Sequence, residues 1–310
     1  MGVLFELAAV THYYGRVCAL RDVTLTVPEG AIGLIGQNGA GKSTLLQVLL
    51  GLIRPTAGSV QVLGQTGPAA SVQLRGQVGF MPEREALVPG LKGIEYAALA
   101  GELCGMPRRQ ALRRAHETLS YLGLEEARYR NLEQYSVGMK QRLKLAAALV
   151  HDPDLLLLDE PTAGLDPDGR TAMLEVLRAL AARPHKSLVL SSHLLGDIER
   201  VCQTAVMLHA GQIVGGGRIA DLCTAATQRY RIRWDGEGGR LLARLQSWGA
   251  AVQPSDRAGE ARVVVPEGWS NRQFFVAAHD ERTLLTGLEP EEEDLEAVYH
   301  RLLRGSRTSN

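Results

Sequence analysis

The chain has 310 residues, 45% of them hydrophobic, with 34 basic and 34 acidic side chains and no formal net charge. That length suits two domains with sizeable cores, and the balanced charge argues against a protein held to nucleic acid by its overall field. The cysteines, Cys18, Cys104, Cys202 and Cys223, form no C-x-x-C pair and no zinc-ligand spacing, which fits reduced thiols in a cytoplasmic protein.

The N-terminal segment MGVLFELAAVTHYYG has no basic stretch followed by an apolar run, so no signal peptide is expected. No segment reaches ~18 consecutive apolar residues, so any membrane role is expected to run through a partner. Residues 1–65 read as strands and turns around one glycine-rich loop. Residues 23–27 alternate, 31–35 form a short apolar run, and 58–63 read as a further strand. Residues 42–50 contain no breaker and suit a helix that starts at the loop. Helical spacing returns at 95–104 and 108–122, separated by Gly105, Met106 and Pro107. Arg108, Arg109, Arg113 and Arg114 on the second of these read as a solvated helix face, with a face toward a membrane or partner as the alternative. From 151 to 217 strands and helices alternate: strand 155–158, helix 168–182, strand 187–191, helix 194–202, strand 205–209. This order predicts a mainly parallel sheet with helices on both faces.

Composition shifts near residue 222. Strand 230–234, helix 240–248, strands 250–253 and 261–265, helix 271–278 and strand 283–288 follow, a β-α-β-β-α-β order of ferredoxin-like type. An acidic helix near 291–303 and a disordered tail at 305–310 complete the reading.

Gly36-Gln37-Asn38-Gly39-Ala40-Gly41-Lys42-Ser43-Thr44 fits G-x-x-x-x-G-K-[ST] between a predicted strand and a predicted helix. The glycines let several backbone N–H groups face one anion, and the helix adds its positive end. Lys42 suits the β- and γ-phosphates, and the Ser43 hydroxyl suits Mg²⁺. The apolar run 155–158 delivers Asp159 and Glu160 to the carboxyl edge of the sheet, where ligands bind in such folds. Asp159 is expected to hold Mg²⁺, directly or through water. Glu160, pointing the other way, suits a general base toward the attacking water.

Between these elements, Tyr135-Ser136-Val137-Gly138-Met139-Lys140-Gln141-Arg142 resembles the signature of ABC transporter ATPases, usually L-S-G-G-Q followed by a basic helix. Ser136 and Gly138 match, while Tyr135, Val137 and Met139 depart, as in bacterial exporter ATPases. Ala163-Gly164-Leu165-Asp166 resembles the D-loop of that family, and His193 its switch histidine. Tyr14 resembles the aromatic that stacks on adenine, with Tyr13 as a competitor. Glu83, in Phe80-Met81-Pro82-Glu83, stands where the family carries the Q-loop glutamine. Leu295-Glu296-Ala297-Val298-Tyr299 after Pro290 resembles the closing helix of drug- and polysaccharide-exporter ATPases with a small C-terminal domain.

The resemblance implies an α/β P-loop NTPase core of the ABC ATPase type over 1–221, with a helical subdomain at about 84–150, and a small α+β, ferredoxin-like domain over 222–304. It implies ATP and Mg²⁺ as ligands. The residues it assigns to them are Tyr14, Gly36, Asn38, Gly39, Ala40, Gly41, Lys42, Ser43, Thr44, Glu83, Ser136, Gly138 and Asp166 for the nucleotide. Ser43, Asp159 and Glu83 fall to the metal, and Glu160 and His193 to catalysis. Each ATP is sandwiched between the phosphate loop of one subunit and the signature of another, so a second ATPase subunit, identical or related, is expected. A transmembrane permease subunit is expected to carry the cargo while the helical lobe rides on it at the cytoplasmic face of the membrane. A DNA-acting ABC ATPase would interrupt the phosphate loop and signature with a long coiled coil, and Lys42 and Ser136 lie too close for that. A translation-factor type would carry two phosphate loops. A kinase or GTPase on this fold would leave the signature, D-loop and His193 unexplained. The replaced glutamine and the C-terminal likeness favour export over import.

Overall fold

A computed structural model describes residues 2–66, 72–84, 87–224, 229–255, 257–266, 268–291 and 294–307. In chain order it begins with β1 (Val3–Tyr14), β2 (Val17–Pro28), β3 (Ala31–Ile35), α1 (Lys42–Leu49), β4 (Ala57–Val62), β5 (Gln65–Thr66), α2 (Val72–Gln77) and β6 (Val78–Met81). Helices α3 (Gly93–Leu103), α4 (Arg108–Tyr121) and α5 (Val137–Leu149) follow. Then come β7 (Leu155–Asp159), α6 (Pro167–Ala181), β8 (Ser187–Ser192), α7 (Leu195–Val201), β9 (Thr204–His209), β10 (Gln212–Arg218) and α8 (Ile219–Thr224).

Among the described residues these strands make a six-stranded sheet of order β10-β9-β3-β8-β7-β6 and a four-stranded sheet of order β2-β1-β4-β5. The strands from β9 to β6 pair in parallel, and β10 closes the edge antiparallel to β9. The parallel sheet is the one its strand–helix alternation predicts. The antiparallel sheet beside it is not visible in that alternation.

The apolar runs explain the layering. Every residue of β3, β7 and β8 is buried, as strands covered on both faces must be. Ile32 and Leu34 of β3 join Leu45, Leu46 and Leu49 of α1 and Phe5, Leu7 and Val62 of the antiparallel sheet in one core. Between them Gly33 faces the opposite side. A Cβ there would sit 2.2 Å from Ile198, so the missing side chain lets α7 lie against the sheet. Helices α3, α4 and α5 pack on one another. Arg113 and Arg114 of α4 reach Glu117 one turn on; Arg113 is exposed, while Arg114 is half-buried and also donates to Val150 O.

The chain divides into two compact units, Met1–Ile219 with Leu302–Asn310, and Ala220–Arg301. The second contains β11 (Arg229–Asp235), α9 (Gly239–Ser247), β12 (Ala251–Pro254), β13 (Glu260–Val264), α10 (Asn271–Asp280) and β14 (Leu284–Pro290). Its strands pair antiparallel in the order β12-β13-β11-β14. Tyr230, Ile232, Leu241, Leu245, Val263 and Phe274 form its core. The last helix, α11 (Leu295–Arg307), ends within the first unit, where Leu302 lies against Gly215 of β10. The sequence predicts a tail over 305–310; residues 305–307 continue α11, and 308–310 lie outside the described residues. The division also falls two residues before the expected boundary at 221, and residues 302–304 group with the first unit.

Candidate functional site

The loop from Gly36 to Gly41 joins the buried strand β3 to α1. Gly39 and Gly41 have φ of 80° and 105°, a region closed to most side chains. Gly36 is fixed by space: a Cβ would lie 2.7 Å from Leu208 O and 2.8 Å from Ala40 Cβ. The loop is pinned from within by Ala40 N–H donating to Gln37 O, and from outside by Gly211 N–H donating to Ala40 O. Asn38, Gly39, Ala40, Gly41, Lys42, Ser43 and Thr44 line a cavity of about 480 Å³, within the range of ligand pockets.

Lys42 is 6% exposed. Its Nζ donates to Gly36 O at 2.7 Å and stands 3.5 Å from Glu160 Oε1. Glu160 follows β7 with φ of 48° and is 5% exposed. The left-handed turn is held by its own N–H, which donates to Ser191 O and Ser191 Oγ. It swings Glu160 away from the direction Asp159 takes. Glu160 Oε2 lies 2.8 Å from His193 Nδ1, while Oε1 is buried, has no hydrogen bond among the described residues and stands beside the Lys42 ammonium. Burial raises the Glu160 carboxyl above its ordinary value, opposed by the charges of His193 and Lys42 and the His193 hydrogen bond. The arrangement is a buried carboxylate with one oxygen against an imidazole and the other beside an ammonium.

Asp159 is buried, and its Oδ1 accepts a short hydrogen bond from Ser191 Oγ. Glu83, exposed just past β6, lines the same cavity as Ser43, Glu160 and His193. Tyr14 lines it too, its hydroxyl 3.4 Å from Gln47 Oε1. Tyr13, one residue earlier on β1, turns to the other side of the strand.

The signature residues do not line that cavity. Ser136 caps α5, its Oγ accepting Met139 N–H at 3.3 Å, and it is exposed. Gly138 lies on the first turn, beside Leu165. Asp166 caps α6 by accepting Gly169 N–H, with Pro167 at the first helical position. Gln141 Nε2 donates to Ala163 O, which ties the signature helix to the D-loop segment. The α5 start and the segment leading into α6 thus meet, and of this segment Ala163 lines the phosphate-loop cavity while Ser136, Gly138 and Asp166 do not.

Sequence reading missed three residues here. Ser191 bridges Asp159 and Glu160, and its signal was a serine pair ending an apolar strand. Asp197, fully buried on α7, accepts Thr162 Oγ1 at 2.6 Å and Arg170 Nε at 2.7 Å, which links the chain after Glu160 to the helix after His193. Lys144 is buried on α5 and its signal was a lysine inside an apolar stripe. Among the described residues no group of three or more His, Cys, Asp or Glu is arranged to hold a metal. None of the helices there is long and apolar enough to cross a membrane.

A family model described as ABC transporter matches residues 20–163. The Nod factor export ATP-binding protein I of Cupriavidus pinatubonensis is 36% identical over 220 residues, 71% of this chain and 67% of that one. The bacitracin transport ATP-binding protein BcrA of Enterococcus faecalis is 31% identical over 310 residues, 98% of each chain, a match that includes the second unit. Among solved structures, a dimeric post-hydrolysis state of the ATP-binding cassette MJ0796 bound to ADP and Pi is similar with a TM-score of 0.64 and 26% identity. It covers 69% of this chain and 98% of that one.

Proposed function

The chain belongs to the ABC transporter ATP-binding family, and from that premise we propose how its residues divide the work of an ATPase that drives export through a separate transmembrane permease. As a member it binds ATP and hydrolyses it to ADP and phosphate to power transport. The observation that carries the division of roles is the Lys42–Glu160–His193 group at the phosphate loop. Lys42 and the loop N–H groups bind the phosphates. Glu160 Oε1, free of hydrogen bonds, accepts the proton of the attacking water, and His193 orients Glu160 from the other oxygen. Tyr14 stacks on adenine.

Ser43, Asp159 and Glu83 offer a hydroxyl and two carboxylates, hard oxygen donors of the kind Mg²⁺ takes alongside phosphate and water. Bound there, Mg²⁺ supplies charge neutralisation of the phosphate oxygens. Glu83 adds a negative charge where the family has a neutral amide, so Glu83→Gln should keep the fold and alter the Mg²⁺ dependence of turnover.

Exposed Ser136 and half-buried Gly138, at the head of α5, offer the hydroxyl and N–H groups of a helix start to the ATP of a second, identical or related ATPase subunit. Asp166 lies at the adjoining helix start. That Ser136 and Gly138 do not line the cavity of their own chain supports a site completed by pairing. The similarity to proteins described as serving Nod factor export and bacitracin transport supports export. A place at the cytoplasmic face of the membrane follows from a permease partner, and a formal net charge of zero gives nucleic acid no overall attraction. The strand order of the second unit supports a ferredoxin-like accessory domain.

The test is Glu160→Gln in the full-length chain with the membrane partner that co-purifies with it. MgATP binding should persist while hydrolysis falls by ~10²–10⁴-fold, the worth of a positioned base. Hydrolysis at the wild-type rate would move the role of base to another residue, His193 first.

A further inference from the structure

A lysine inside an apolar helix face is costly unless its ammonium finds partners. Lys144 stands between Leu143 and Leu145 on α5 and is 4% exposed. Its Nζ donates to the carbonyl oxygens of Pro82 and Glu83 at 2.7 and 3.0 Å. Neighbouring carbonyls of an extended strand point to opposite sides, so two that meet one ammonium mark a bend. The chain does bend at Glu83 and Arg84, directly after β6. From this bend the Glu83 side chain reaches the nucleotide cavity. The helix that carries Lys144 is the one headed by Ser136, and it packs against β6 as well as α3 and α4.

We propose that Lys144 is a positioning residue, whose buried ammonium fixes the bend that holds Glu83 toward the nucleotide and ties that bend to the signature helix. The proposal rests on the nucleotide-site reading above. It names the link, within one chain, between the site that this chain supplies with its phosphate loop and the surface it offers to a second. A change at the nucleotide that moves the Glu83 bend is carried by Lys144 to α5, and motion of α5 returns to Glu83 by the same contact.

Lys144→Met removes the charge and keeps an unbranched apolar side chain of similar length. In the full-length chain with its co-purifying membrane partner, this variant should bind a fluorescent ATP analogue within about twofold of wild type, and its melting temperature should not fall. Its kcat should drop about tenfold, because small displacements around a reacting centre cost that much or more. Since Lys144 acts through Glu83, the loss should vanish in a Glu83→Ala background, where single and double variants turn over at one rate. A kcat for Lys144→Met within about twofold of wild type overturns the role, and so does a further drop of about tenfold in the double variant. A lower melting temperature with binding and kcat falling together assigns Lys144 to packing and overturns it as well. Failure of the underlying reading looks different: wild type would not hydrolyse MgATP, or Lys42→Ala would match wild type.

Discussion

Burial raises the carboxyl of Glu160 above the ordinary glutamate value, with His193 and Lys42 pulling it back. The base form exists only above that raised value and is lost as pH falls through it. Turnover should therefore fall on the acid side at a higher pH than an ordinary carboxylate would give. A kcat–pH profile of the complex checks this, and Glu160→Gln should leave a low rate without that limb. At the other end of the cavity, Tyr14→Ala should weaken ATP and GTP alike by ~1–3 kcal/mol, since stacking tolerates any base. Tyr14→Phe should change little. Nucleotide titrations decide it, and a loss in Tyr13→Ala instead would exchange the two tyrosines. The sequence points to Glu160 through the apolar strand before it, and to Tyr14 through its likeness to the family's adenine-stacking aromatic. It does not point to Ser191 and Asp197, because their roles depend on partners at Asp159, Glu160, Thr162 and Arg170, distant in the chain and brought near only by the sheet.

At the scale of elements, the phosphate loop depends on one close approach. Gly36→Ala would drive a methyl into Leu208 O and Ala40 Cβ, an overpacking that costs about 1–3 kcal/mol. The variant should melt lower and lose MgATP binding, measured side by side, and unchanged values in both would show that the loop has slack. Ser136 is a cap as well as a proposed ligand, so Ser136→Ala should cost about 1 kcal/mol of stability in a denaturant titration. The buried strands β3, β7 and β8 could be read directly as apolar runs. β1 could not, because its pairing slips between Leu7 and Val10 and Ala9 adopts φ of 51°, which breaks the alternation that signals a strand. β10 was hidden for a different reason. Its run of Gly215, Gly216 and Gly217 reads as a loop, yet it pairs with β9 along its length.

At the scale of the molecule, Glu160→Gln should accumulate as a closed ATP-bound pair, because the nucleotide joining two subunits is no longer removed. Sedimentation with and without MgATP reads this, and Ser136→Arg on the same background should abolish it by filling the signature surface. Pairing that ignores both MgATP and Ser136→Arg would run through a different surface. The β-α-β-β-α-β element order of 229–290 can be read from the sequence. The return of the chain cannot, because one helix shared between two units leaves no mark in hydrophobic spacing. Gly215 and Leu302 are in contact, and a Cβ on Gly215 would lie 2.6 Å from Leu302 Cδ1. Leu302 groups with the first unit, so Ala220–Arg301 falls between two segments of it in the chain. The consequence is one of splicing. A stop codon after Ile219 discards Leu302 together with residues 220–301 and should lower the melting temperature of what remains. A short linker from Ile219 to Leu302 should remove residues 220–301, keep Leu302 and restore that melting temperature.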